Sequence, residues 1–129
     1  MNTAIGQSVV RKEAWEKVTG QTQYTDDLPT AGVLSARLLT STHAHARILR
    51  IDISQAWKVE GVICVITGND FSLLFGILLQ DRPALASHKV RYAGEPVAMV
   101  IAKNEHAAEL AVRRIRVEYE PLPVLLLPS

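Results

Sequence analysis

The chain is poor in several residues on which particular functions depend. It has a single cysteine, Cys64, in 129 residues, so no internal disulfide can form and a disulfide-stapled scaffold is excluded. Two Trp, three Tyr and two Phe amount to 5% of the chain, which leaves little for stacking nucleobases. Neither sign of charge dominates, since 14 Lys and Arg face 13 Asp and Glu for a formal net charge of +1. The one basic concentration is Arg113, Arg114 and Arg116. Three arginines around a helix-to-strand junction read as a solvated face, so nucleic acid is not an expected partner. No apolar run approaches the ~20 residues of a membrane-spanning helix. The opening MNTAIGQSVVRKEAW lacks the apolar centre of a signal peptide. No membrane partner is therefore expected, and the cytoplasm is the expected location. Missing too are the phosphate-cradling glycine motifs, H-E-x-x-H, paired C-x-x-C and G-x-S-x-G.

What is present is a globular composition, 48% hydrophobic and 21% charged, long enough to bury a core in one domain spanning residues 1–129. Arg11 to Val18 reads as a short helical turn stopped by Gly20. Val33 to Leu39 and Arg47 to Ile53 read as strands. Ser54 is placed to cap a short helix over Gln55 to Glu60, ended by Gly61. Val62 to Ile66 and Val97 to Ala102 are apolar on both faces, the pattern of buried central strands. Between them, Asn69 to Ser87 reads as a long irregular excursion, of a length often tied to function or interface. Asn104 then caps a helix with Ala107, Ala108, Ala111 and Val112 as its apolar stripe, and Glu109 is placed to pair with Arg113. From Ile115 the period becomes two, with Ile115, Val117 and Tyr119 on one face. Clustered strands outnumbering helices indicate an α+β fold with two or three short to medium helices.

Four stretches invite a chemical reading. In Ser41-Thr42-His43-Ala44-His45-Ala46-Arg47, the two imidazoles fall on one side of an extended chain and can share an ion. A mononuclear site needs three or four ligands, however, and His88 and His106 lie in unrelated contexts, so a hydrogen-bonded turn is expected and no metal. Glu95, between Gly94 and Pro96, has the rigid setting of a general base. The triplet is equally a device for turning into the strand at Val97, with Gly94 at positive φ and Glu95 solvated. Thr67-Gly68-Asn69-Asp70 has the look of a phosphate turn without its motif. Cys64, inside Val62-Ile63-Cys64-Val65-Ile66, reads as a small buried apolar residue. No catalytic, cofactor-binding or metal residue is therefore assigned to this chain.

Taken together and in order, four segments resemble one family. They are Lys17-Val18-Thr19-Gly20 with Tyr24 and Asp27; His43-Ala44-His45-Ala46-Arg47-Ile48 with Ile51-Asp52; Val90-Arg91-Tyr92 with Gly94-Glu95-Pro96-Val97-Ala98; and Val117-Glu118-Tyr119-Glu120 with Leu122-Pro123. The set is similar to the N-terminal α/β-hammerhead domain of the molybdenum-binding large subunit in the xanthine dehydrogenase, aldehyde oxidase and aerobic carbon monoxide dehydrogenase family. The chain departs from that pattern at Thr40 and Thr42, where arginine and proline are usual, and at Thr22, where alanine is common. The resemblance implies a non-catalytic scaffold domain, itself without cofactor. The full enzyme would hydroxylate a heterocycle or aldehyde with oxygen from water. It would carry a molybdopterin cofactor in later regions of the large subunit and pass electrons to iron–sulfur and flavin partners. On this reading the chain is a segment of a longer large subunit. The apolar run Val124 to Leu127 and the excursion Asn69 to Ser87 would then be surfaces made to be covered, and a dimer, a higher oligomer or a disordered segment involving one of the two is expected of the isolated chain. A free-standing small-molecule or protein-binding module is the alternative. The lysine that a biotinyl or lipoyl carrier must modify is absent from Ala98-Met99-Val100.

Overall fold

The computed structural model describes residues 5–28, 30–71 and 73–125. Two compact units are defined, Met1–Gly32 and Val33–Ser129. In the first, helix α1 (Ala14–Val18) is one and a half turns long. It ends as the sequence predicts: the Gly20 N–H donates to Lys17 O and the Gln21 N–H to Glu16 O, with Gly20 at φ +71°. These are the two bonds of a Schellman cap. A single 3₁₀ turn follows over Thr25–Asp27, where the Asp27 carboxylate accepts from the Tyr24 N–H at 2.9 Å. Thr22 carries a buried hydroxyl oxygen without a hydrogen-bond partner.

The second unit holds eight strands and one helix among its described residues: β1 (Ser35–Thr40), β2 (Ala46–Asp52), β3 (Val62–Thr67), β4 (Leu74–Phe75), β5 (Arg82–Pro83), β6 (Lys89–Val90), β7 (Pro96–Ala102), α2 (Glu105–Arg114) and β8 (Arg116–Pro121). They form three antiparallel sheets, ordered β1-β7-β3, β6-β2-β8 and β4-β5. Strand β7 links the two larger groups. Ala98, Val100 and Ala102 on one face join Val65, Ile115 and the alanines of α2 in the main core. On the opposite face, Val97 packs with Ala46, Ala86 and Val90. Burial on both faces is why β7 reads as apolar throughout.

The same argument fails for β3. It lies at the edge of its sheet, Ile63 is exposed and Cys64 is half-buried rather than buried. An all-apolar run of this length does not distinguish a central strand from an edge strand. Helix α2 matches its sequence reading: the Asn104 side chain accepts from the Ala107 N–H at 2.8 Å, Ala107, Ala108 and Ala111 are buried, and Arg113 Nε donates to Glu109 at 3.0 Å. Small side chains let the helix lie close to the sheet. An added Cβ at Gly61 would sit 3.4 Å from that of Ala107. Strands β7 and β8, on either side of α2, belong to different sheets, so strand, helix and strand do not form a parallel crossover.

Gln55 to Glu60 does not form the expected helix. The segment is a series of turns, and the Ser54 N–H donates to the Asp52 carboxylate at 2.9 Å. Asp52 thus supplies the cap expected of Ser54, and the intervening bonds are mostly the i→i+3 kind, from Ala56 to Ile53 and from Val59 to Ala56. Six residues are too few to sustain a helix once local side-chain bonds compete for the backbone. Asn69 to Ser87 is irregular as read, apart from the two-residue ladder β4-β5, and it ends by burying Leu85 and Ala86. Val124 and Leu125 are exposed, whereas Leu126 and Leu127 lie outside the described residues. Among the described residues no helix is long and apolar enough to cross a membrane.

Candidate functional site

The two histidines lie in a bend, because β2 begins only at Ala46. The alternation that would aim both imidazoles one way therefore does not apply. Ser41 is buried and organises the bend. Its hydroxyl accepts from the His43 N–H and donates to the His43 carbonyl, each at 3.0 Å. Its backbone is fixed as well: the Ser41 N–H donates to Glu95 O at 2.9 Å, and the Gly94 N–H donates to Ser41 O at 2.8 Å.

Each imidazole then meets the last strand or the chain just after it. The His43 ring lies against Tyr119, with centroids 4.8 Å apart and planes tilted by 51°. His45 Nδ1 lies 2.7 Å from the Pro123 carbonyl oxygen, which fixes the tautomer with the proton on Nδ1. The His45 carbonyl accepts from the Leu122 N–H at 3.0 Å. Burial raises the Tyr119 phenol above its ordinary pKa, opposed by a hydrogen bond with Ser41. Among the described residues no three or more His, Cys, Asp or Glu side chains are grouped so as to hold a metal ion.

Glu95 departs from its sequence reading. It is 4% exposed, not solvated. Its carboxylate accepts from the Arg91 N–H and, at 3.3 Å, from the Arg91 guanidinium. The turn curls the carboxylate back beneath residue 91, so it closes the turn instead of facing solvent.

Gly94 does adopt φ +92°, as expected, and no atom lies within 4 Å of where a side-chain carbon would sit. Gly94→Val should cost about 1–3 kcal/mol through backbone strain alone. Gly94→Asn, which tolerates left-handed geometry better, should recover much of that loss. Urea midpoints for the two variants check this, and equal destabilisation would refute strain as the cause.

Thr67-Gly68-Asn69-Asp70 is a structural turn. The Asp70 carboxylate accepts from the Thr67 N–H at 2.8 Å and the Thr67 hydroxyl at 2.7 Å, bonds that hold its carboxyl below the usual range. A Cβ on Gly68 would lie 2.7 Å from backbone atoms of Leu85 and Ala86. Close approach of two chain segments, not phosphate, accounts for this glycine.

The bend and the Val90–Val97 turn, read separately in the sequence, thus come together through Ser41, Gly94 and Glu95. Ser41 was legible as a serine two residues before His43. The partners Tyr119 and Pro123 had no local signal, since His45 and Pro123 are 78 residues apart.

This strand-rich fold, with its histidine bend tied to the final strand, defines a hammerhead-type domain. The family described as "Aldehyde oxidase and xanthine dehydrogenase, a/b hammerhead domain" matches residues 19–123. The chain belongs to that family. It is 41% identical to the 6-hydroxypseudooxynicotine dehydrogenase complex subunit gamma of Paenarthrobacter nicotinovorans, over 97% of this chain and 18% of that protein. It is also 40% identical to the carbon monoxide dehydrogenase large chain of Afipia carboxidovorans, over 84% of this chain and 14% of that protein. Among solved structures, quinoline 2-oxidoreductase of Pseudomonas putida 86 aligns with a TM-score of 0.81 and 38% identity, covering 95% of this chain and 17% of that one. The chain therefore spans less than a fifth of the length of these relatives. As their names state, the first is one subunit of a complex and the second a large chain.

Proposed function

We propose that the chain is the scaffold domain of a molybdenum hydroxylase large subunit and carries no catalytic residue of its own. The observation that carries this reading is the internal engagement of every candidate side chain. Glu95 is held by Arg91, His43 lies on Tyr119 and His45 is bonded to Pro123. The histidine contacts tie the bend to β8 and the chain just after it, while the Ser41 backbone bonds to Gly94 and Glu95 tie it to the turn before β7. As a donor set for a molybdopterin these residues do not fit. We therefore assign that cofactor to other regions of the full enzyme and derive no step through it here. The full enzyme would hydroxylate a heterocycle or an aldehyde with oxygen from water and pass electrons to iron–sulfur and flavin partners in the cytoplasm. The names of relatives acting on a quinoline and on 6-hydroxypseudooxynicotine support a nitrogen heterocycle or related compound as the substrate class.

Elemental analysis tests the scaffold role. The 129-residue chain, dialysed under mild conditions, should carry no stoichiometric transition metal and show no hydroxylase activity, whereas the full gene product should contain molybdenum. One equivalent of zinc or copper, lost in a His43→Ala/His45→Ala double variant, would overturn the scaffold role of the bend.

A further inference from the structure

Two clefts in the second unit adjoin and share Pro83, Ser87 and His88. One, of about 350 Å³, has Phe71, Leu74 and Leu85 in its wall. The other, of about 590 Å³, is lined by Arg47, Lys89 and Arg91, with Ile48 and Leu122. Together they make a trough that is apolar at one end and cationic at the other. No Asp or Glu lines either part. Arg47 and Arg91 are each held by one carboxylate, Glu120 at 2.7 Å and Glu95 at 3.3 Å, and remain half-exposed with further N–H groups to offer. Lys89 is exposed and forms no ion pair among the described residues.

The apolar end continues into an exposed hairpin. Phe71 and Phe75 stack with centroids 6.5 Å apart, and beyond them Ile77, Leu78 and Leu79 are 103%, 94% and 73% exposed. Apolar surface so concentrated marks a contact face.

We propose that this trough is the docking groove for an extended segment of the same large subunit, from outside the hammerhead domain. That segment would set apolar side chains against Phe71, Leu74 and Leu85 and carboxylates against Lys89 and the free N–H groups of the arginines. The inference rests on the reading of this chain as part of a large subunit. Three observations select this occupant. More than four-fifths of each relative described above lies outside the region this chain matches, so polypeptide is available to fill the groove. Strand β6, which carries Lys89, is a two-residue edge strand of its sheet, open to backbone pairing by an extended chain. A second copy in a two-fold contact would set cationic lining on cationic lining, which electrostatics disfavours.

The test uses the 129-residue chain labelled with ¹⁵N and a blocked peptide probe, Leu-Leu-Pro-Asp-Asp, beside a counterpart ending in two lysines. The acidic peptide should shift the amides at both ends of the trough, Phe71 to Leu74 and His88 to Arg91. It should bind about fivefold or more tightly than the lysine peptide and weaken as salt is added. Lys89→Glu, at an exposed site, should keep the fold by circular dichroism and lower acidic-peptide affinity about tenfold. Absence of shifts at millimolar peptide, or equal binding of the two peptides, would overturn the proposal. So would light scattering that shows a dimer whose formation protects the same residues. The molybdenum analysis does not depend on these shifts, so the groove and the large-subunit reading can fail separately.

Discussion

Gly68→Ala is expected to lower the melting temperature by about 6–12 °C, which corresponds to about 2–3 kcal/mol for a domain of this size. The added methyl would lie 2.7 Å from the Ala86 carbonyl carbon and from the carbonyl oxygens of both Leu85 and Ala86. Real Cβ atoms do not approach that closely, so something must move. The obstacle is backbone, and it cannot swing aside as the end of a flexible side chain can. Leu85 and Ala86 are buried, and the Ala86 N–H is bonded to Pro96 O at 2.8 Å, so displacing them also disturbs the start of β7. Gly94→Ala is the control, since open space surrounds that position and only its φ is strained. Thermal unfolding of both variants decides the matter. A Gly68→Ala variant at least as stable as Gly94→Ala would show that the two segments do not meet as described.

Glu95→Ala should cost about 1–3 kcal/mol, more than Glu95→Gln. The alanine variant leaves the Arg91 N–H without its acceptor and the guanidinium without its carboxylate. Breaking a fully buried ion pair costs about 3–5 kcal/mol. Here Arg91 is 48% exposed and can turn to water, so the smaller range applies. Glutamine keeps an oxygen for the Arg91 N–H and loses mainly the charge. These magnitudes put Glu95→Ala level with Gly94→Val, whereas the sequence reading of a solvated Glu95 made substitution there nearly harmless. Urea titrations separate the two accounts. A Glu95→Ala midpoint indistinguishable from wild type would restore the solvated turn.

The sequence was most informative where structure is local. The Asn104 cap, the alanine stripe of α2, the Glu109–Arg113 pair, the Gly20 stop and the positive φ of Gly94 depend on residues within a turn or two of each other. It misled where several local bonds compete, as at Gln55 to Glu60, where the Asp52 carboxylate captured the Ser54 N–H. The candidate site was legible in its parts and not in its assembly. His43, His45 and Glu95 were named, but what each side chain touches was not.

By itself, the sequence determined the family, the α+β class and the places where the backbone must bend. Those follow from ordered motifs, hydrophobic period and glycine, all of which are written along the chain. Only the tertiary structure decided that β3 is an edge strand, that Glu95 is buried and that the histidines are anchored to Tyr119 and Pro123. Edge or centre, and solvent or partner, are properties of what lies opposite a residue. In this fold the opposite residue is commonly tens of positions away, joined by a strand pairing that no local pattern encodes.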